Sequence, residues 1–278
     1  MRDSEERQYT AEWLQYERQQ PMYDGDINNF YASVLKEVPA HVEMLDSDFK
    51  GAFHDWLESH TLSHFAGMDK FPARDVIQGV TQYIDDLYQR YGSLQIFEND
   101  YKYHWRLNEN IEYKTLDTLD RRPLLISMPF PYHGDIHPDM DEILERCLKL
   151  KIDVHVDSAW ISCIRGIAFN YDHPAIKSFA VSLSKGGLGG TRIGVRYCRV
   201  RPDGPVTLMN QFNMNQQPLM WIGQRFCEML GPEYFWKKYL VKYQKVCFDF
   251  DLVESKAIHI AKTKEGKPVG VRSLLRAL

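Results

Sequence analysis

The chain has 278 residues, 34 Lys and Arg against 38 Asp and Glu, and a formal charge of −4, so no basic face points to nucleic acid or an anionic membrane as a partner. No apolar run approaches the roughly 20 residues that cross a bilayer, and the opening MRDSEERQYTAEW is too polar for a secretory signal. The five cysteines form no CxxC pair, which argues against a zinc site or a disulfide framework and for reduced thiols in the cytoplasm.

In chain order, residues 1–45 form an N-terminal segment of alternating polar and aromatic character, with QQPMYDGDINNF expected to be extended or turn-rich. Phe49, Phe53, Trp56 and Leu57 recur at helical spacing and predict a helix from Asp48 to about His60. DVIQGVTQYIDDLYQRYG reads as a strand, a turn at Gly79, and a helix carrying Ile84, Leu87, Tyr88 and Tyr91 that stops at Gly92. LQIFE is a strand candidate, followed by the aromatic cluster DYKYHW. PLLISMPF predicts a strand leading into the loop PFPYHGDIHPD, and MDEILERCLKLK an amphipathic helix opened by acidic residues, as the helix dipole favours. IDVHVDSAW is a strand ending at Asp157, and IKSFAVSLSK another reaching Lys185.

This alternation predicts an α/β fold, a mostly parallel sheet flanked by helices. Ligands of such sheets sit at the carboxyl ends of the strands. Asp157, the group from Ser182 to Lys185, and Gly79 to Thr81 all fall at such ends. After Pro205 the pattern changes to two long helical stretches and a possible strand pair between Asp249 and Arg272. The expected organisation is a large domain over 46–205 and a reduced C-terminal α+β domain over 206–278, opened by the turn RPDGP. His54, His60 and His64 read as polar positions on or after a helix, and Tyr234, Phe235, Trp236 and Tyr239 as packing residues.

VDSAW, then SLSK, then GGLGGTRIG resemble the signature of the fold-type I pyridoxal-phosphate enzymes, specifically the aspartate aminotransferase-like group, over roughly residues 70–200. The resemblance implies pyridoxal 5'-phosphate as cofactor, Lys185 as the lysine that forms a Schiff base with it and shuttles the proton, and Asp157 as the partner of the pyridine nitrogen. It implies a phosphate cup of Gly79, Val80 and Thr81 at a helix N-terminus, completed by Ser182 and Arg192. Tyr101 corresponds to the aromatic residue that stacks on the ring, with Tyr103 as the alternative. The glycines between Lys185 and Arg192 would let the backbone turn tightly and pass close to the cofactor.

The chain also departs from that pattern. Pro131, in PFPYHG, stands about where the family has an asparagine for the phenolic oxygen, with His133 as a substitute. Trp160 follows the aspartate where a tyrosine is common and offers an indole N–H. The spacing from Lys185 to Arg192 is one residue shorter than usual. Arg272 and Arg276, with Arg225 behind them, are the candidates for the substrate carboxylate. The implied function is an aminotransferase-like enzyme, a homodimer acting on an amino acid or related amine. A lyase, decarboxylase or replacement enzyme on the same fold is the first alternative, and a non-catalytic cofactor-binding homologue the second.

Overall fold

The computed structural model describes residues 22, 24–39, 46–101, 103–104 and 111–277; the side chain of Arg276 lies outside the described part. From Gly25 onward the stretch expected to be turn-rich is helical, forming α1 (Gly25–Glu37); its residues 19–21 and 23 lie outside the described part. Asp24 caps it, accepting the Ile27 N–H at 2.9 Å, and Ile27, Phe30 and Val34 form its buried stripe. Such a cap satisfies one of the orphan donors at the helix start, and the stripe offsets the poor helix propensity of Gly, Asp and Asn. α2 (Asp46–Glu58) buries the expected Phe49, Phe53, Trp56 and Leu57. A short strand, β1 (His64–Ala66), precedes the strand–turn–helix unit of β2 (Ala73–Ile77) and α3 (Val80–Tyr91), which Gly92 ends.

β3 (Ile96–Phe97) and β4 (Tyr113–Lys114) make a small parallel pair. Then follow β5 (Leu124–Ser127), α4 (Met140–Leu150), β6 (Val154–Asp157), β7 (Ala168–Asn170, paired with β1), β8 (Ile176–Ser182) and β9 (Gly194–Cys198). The central sheet has the order β2-β9-β8-β6-β5. β5, β6 and β8 pair in parallel, whereas β9 is antiparallel to both its neighbours, so β2 runs with the other three. The sheet is thus mixed but mostly unidirectional, as expected.

The alternation of side chains along each strand supplies both faces of the sheet. Val76, Ile126, Phe179 and Val181 face the larger core, shared with α1 and α2, whereas Ile77, Leu125 and Ala180 face a smaller one with Val80, Tyr83, Ile84 and Leu87 of α3. β9 carries a charge through the middle of the sheet: Arg196 is fully buried, 2.6 Å from Asp75 and 2.8 Å from Asp86. That ion triad ties β9 to β2 and α3.

The C-terminal part consists of α5 (Pro205–Gln211), α6 (Gln217–Met229), α7 (Tyr234–Asp249), β10 (Val253–Glu254), β11 (Ile260–Lys262), β12 (Pro268–Gly270) and α8 (Arg272–Ala277). Its three strands pair antiparallel, one more than expected. Its helices share the larger core: Phe226 meets Phe30 edge-on at 5.6 Å, and the Trp236 indole donates to the Cys163 carbonyl at 2.8 Å. No helix among the described residues is long and apolar enough to cross a membrane.

Candidate active site at the carboxyl edge of the sheet

The register decides which residues meet. Gly194 pairs with both Ile77 and Ser182, Ala180 with Asp157, and Asp157 with Ser127. The ends of β2, β8, β6 and β5 and the start of β9 therefore share one edge. Gly194 permits this closeness, because a Cβ there would collide with the Val181 carbonyl and lie 2.8 Å from the Ser182 Cα. Above this edge lies a cleft with about 500 Å³ of empty space, part of it open to solvent. Val80, Thr81, Tyr101, Asp157, Trp160, Ser182, Lys185 and Arg192 all line it.

Lys185 lies in the irregular turn Ser184–Leu188 directly after β8, where Gly187 and Gly189 take positive φ. Its amine is pulled down to about 8, chiefly by burial; Arg192 and Arg272 push the same way, against Cys163 and Asp157. A lysine in that range supplies neutral, nucleophilic amine near physiological pH. Asp157, 5 % exposed, is pushed up to about 7 by burial and by the Asp100 charge. The Ala159 N–H, 2.8 Å from its Oδ1, works in the opposite direction.

At the other side of the cleft α3 begins with no acidic residue in its first turn. Its N-terminus is an electrostatically favourable place for an anion. Arg192 reaches it, donating to Thr81 Oγ1 at 2.6 Å. Gly79 makes the approach possible: its φ is +74°, and a Cβ would stand 2.8 Å from Arg192 Nη2. Ser182 Oγ accepts the Ser184 N–H at 3.3 Å. The Ser184 hydroxyl is itself buried with no partner among the described residues and lines the cleft.

Of the alternatives open in the sequence, Tyr101 lines the cleft. Tyr103 stacks beside it at 6.0 Å and donates to Asp85 at 2.9 Å. Pro129 and Pro131 line the cleft, while His133 packs against Phe130 and Tyr132 and is not part of its wall. Arg272 begins α8, half-buried, within electrostatic reach of Lys185 and His259. Arg225 pairs with Glu228 at 2.7 Å on the exposed side of α6. Sequence reasoning missed Ser127 and the buried Asp100, whose carboxylate accepts from Ser127 and Tyr101, and placed Ser184 at the strand end without giving it a role. Ser127 ends an apolar strand as Asp157 does, so the same signal could have found it.

No family model matches the chain, and no curated protein matches it in sequence. Solved structures do match. Cystalysin from Treponema denticola, which contains pyridoxal 5'-phosphate, superposes with a TM-score of 0.64 at 12 % identity, over 94 % of this chain and 82 % of that one. The fold is that of the fold-type I pyridoxal-phosphate enzymes. The aromatic aminotransferase from Pyrococcus horikoshii OT3 matches at 0.60 and 16 % identity, over 87 % of this chain and 77 % of that one. The pyridoxal-phosphate-bound C–S lyase from Staphylococcus hominis matches at 0.60 and 14 %, over 86 % and 74 %. Both reaction types therefore occur on this architecture, and fold alone does not choose between them.

Proposed function

We propose that this chain is a pyridoxal-phosphate-dependent enzyme of the aminotransferase type, acting on an amino acid or related amine. The observation that carries the reading is a single cleft in which a deeply set lysine, a buried carboxylate and an arginine at a helix N-terminus meet. The donor set fits the cofactor's phosphate: the N–H groups opening α3 after Gly79, the hydroxyls of Thr81, Ser182 and the unpartnered Ser184, and the Arg192 fork. Asp157 would hold a proton at the pyridine nitrogen, and the Tyr101 ring would support the flat face. Bound there, pyridoxal phosphate supplies an electron sink for charge developing at the substrate α-carbon.

The remaining work belongs to the protein. The Lys185 amine would hold the cofactor in the cleft and, as a basic group beside it, would accept the substrate α-proton and return it. Trp160, Pro129 and Pro131 wall the cleft and limit water. Arg272, outside the cleft wall but within electrostatic reach of Lys185, would be the residue for the substrate carboxylate. A cytoplasmic homodimer belongs to the same reading: the five cysteines are free thiols, which suits a reducing compartment, and sedimentation tests the assembly.

A lyase is the second reading. It is favoured by Pro131, which brings no side-chain donor to the cleft. The test is the visible absorbance of the purified protein with pyridoxal phosphate, in wild type and Lys185→Ala, followed by candidate amino acids. A lysine-dependent band, converted to the amino form of the cofactor with release of a keto acid, supports transamination. Persistence of the band while the substrate loses its side-chain leaving group supports the lyase. A wild type without any band that Lys185→Ala removes overturns both.

A further inference from the structure

Asp100 is a buried carboxylate, 7 % exposed, to which the chemistry above gives no task. It lies just after β3, in the turn that leads into Tyr101. Its Oδ1 accepts the Tyr101 N–H at 2.6 Å and the Ser127 hydroxyl; its Oδ2 accepts the Ser127 N–H at 3.0 Å. All three donors belong to two residues of the cleft wall, Tyr101 and Ser127. Ser127 is also the last residue of β5 and the register partner of Asp157. No lysine or arginine forms an ion pair with Asp100 among the described residues, and burial pushes its carboxyl up to about 6. A carboxyl group taken out of water without a cation is costly. The compensation here is a set of hydrogen bonds aimed only at the two cleft residues.

We propose that Asp100 is a positioning residue of the cofactor site, tying the Tyr101 wall to the end of β5 and so fixing its distance from Asp157. The inference rests on reading the cleft as a pyridoxal-phosphate site. A flat ring held at its edge by Asp157 and on its face by Tyr101 needs both walls in register. Misplacement of a site by about 1 Å can cost on the order of 10²-fold in rate. Between β3 and β5 the described elements include β4 and one turn of 3₁₀ helix, neither of which belongs to the central sheet. Asp100 joins the start of that stretch to the central sheet at the point where it becomes the cleft wall.

The test compares wild type with Asp100→Ala and with Asp100→Asn, which keeps one accepting oxygen and puts an NH2 against the other donor. In the apoprotein, hydrogen exchange at the Tyr101 and Ser127 amides should accelerate at least tenfold in Asp100→Ala, whereas Asp100→Asn should keep one of the two amides near wild type and release the other. With pyridoxal phosphate, Asp100→Ala should bind at least tenfold more weakly and lose the visible circular dichroism of the bound cofactor, and Asp100→Asn should fall between it and wild type in both. Wild-type exchange at both amides in Asp100→Ala, or wild-type affinity and dichroism, overturns the proposal. A wild type that binds no pyridoxal phosphate removes the functional reading, and the amide exchange then decides for or against the tie by itself. Should Asp100→Ala not fold, Asp100→Asn takes its place, and wild-type exchange at both amides in that variant overturns the proposal.

Discussion

Replacing Asp157 by asparagine should stabilise the apoprotein while disabling the site. The folded carboxyl keeps its proton up to about pH 7, against a reference value of 3.8. Between those values the folded protein binds one proton more than the unfolded chain, so stability falls as pH rises from about 4 to about 7 and levels off above. At about 1.36 kcal/mol for each pH unit, the full difference is about 4 kcal/mol, and relaxation around the charge brings the expected gain to about 2–4 kcal/mol. Asparagine carries no charge at any pH. Asp157→Asn apoprotein should therefore match wild type within ~1 kcal/mol near pH 4 and exceed it by about 2–4 kcal/mol at pH 8. Pyridoxal phosphate should reverse the order at pH 8, since a ligand stabilises only the form that binds it, as RT ln(1 + [L]/Kd). Urea unfolding at pH 4.5, 6 and 8, with and without the cofactor, reads all of this. A variant that keeps the wild-type pH slope, or is less stable than wild type at pH 8 without cofactor, refutes the reasoning.

The remaining predictions concern the other side of the cleft and the lysine. Cofactor attachment needs the neutral Lys185 amine, held at about 8, so its rate should rise with pH through about 8 and level above; stopped-flow absorbance checks this, and a flat profile speaks against it. Gly79→Ala should cost about 1–3 kcal/mol for an L-residue at φ +74°, ψ 168° and displace Arg192, weakening cofactor binding at least tenfold by fluorescence titration. Unchanged affinity would show that Arg192 does not need that approach.

How far the sequence disclosed all this depended on whether the physical cause was local. The turn at Gly79, the helix after it and the apolar strands ending at Asp157 and Ser182 are written in neighbouring residues, so their place at one sheet edge could be inferred. β9 was not foreseen as a strand because Arg196 interrupts its pattern; the arginine is tolerated inside only through Asp75 and Asp86, which lie more than a hundred positions away. α1 was obscured by its Gly, Asp and Asn, although the Asp24 cap and the Ile27, Phe30, Val34 stripe were there to be read. Asp100 became visible only once β5 brought Ser127 to it. Tyr101, preferred over Tyr103 on the resemblance, lines the cleft, whereas the hydrogen bond of Tyr103 to Asp85 could not be read from neighbouring residues.

The rung that joins Ser182 to Gly194 makes the Lys185–Arg192 segment a bridge with fixed abutments. Lys185 leaves three residues after one end of the rung and Arg192 lies two residues before the other, so changing the number of residues between them alters the path of the bridge but not where it lands. A spacing one residue shorter than the resembling pattern then alters the path between the two residues and leaves the rung where it is. Gly190, exposed and with open space around it, is where a residue could be gained or lost, whereas Gly189 is buried and donates to the Ser184 carbonyl at 2.9 Å. One residue inserted within β9 itself would turn Arg196 to the opposite face of the sheet. Variation in this region should therefore concentrate at Gly190 and stop at the strand.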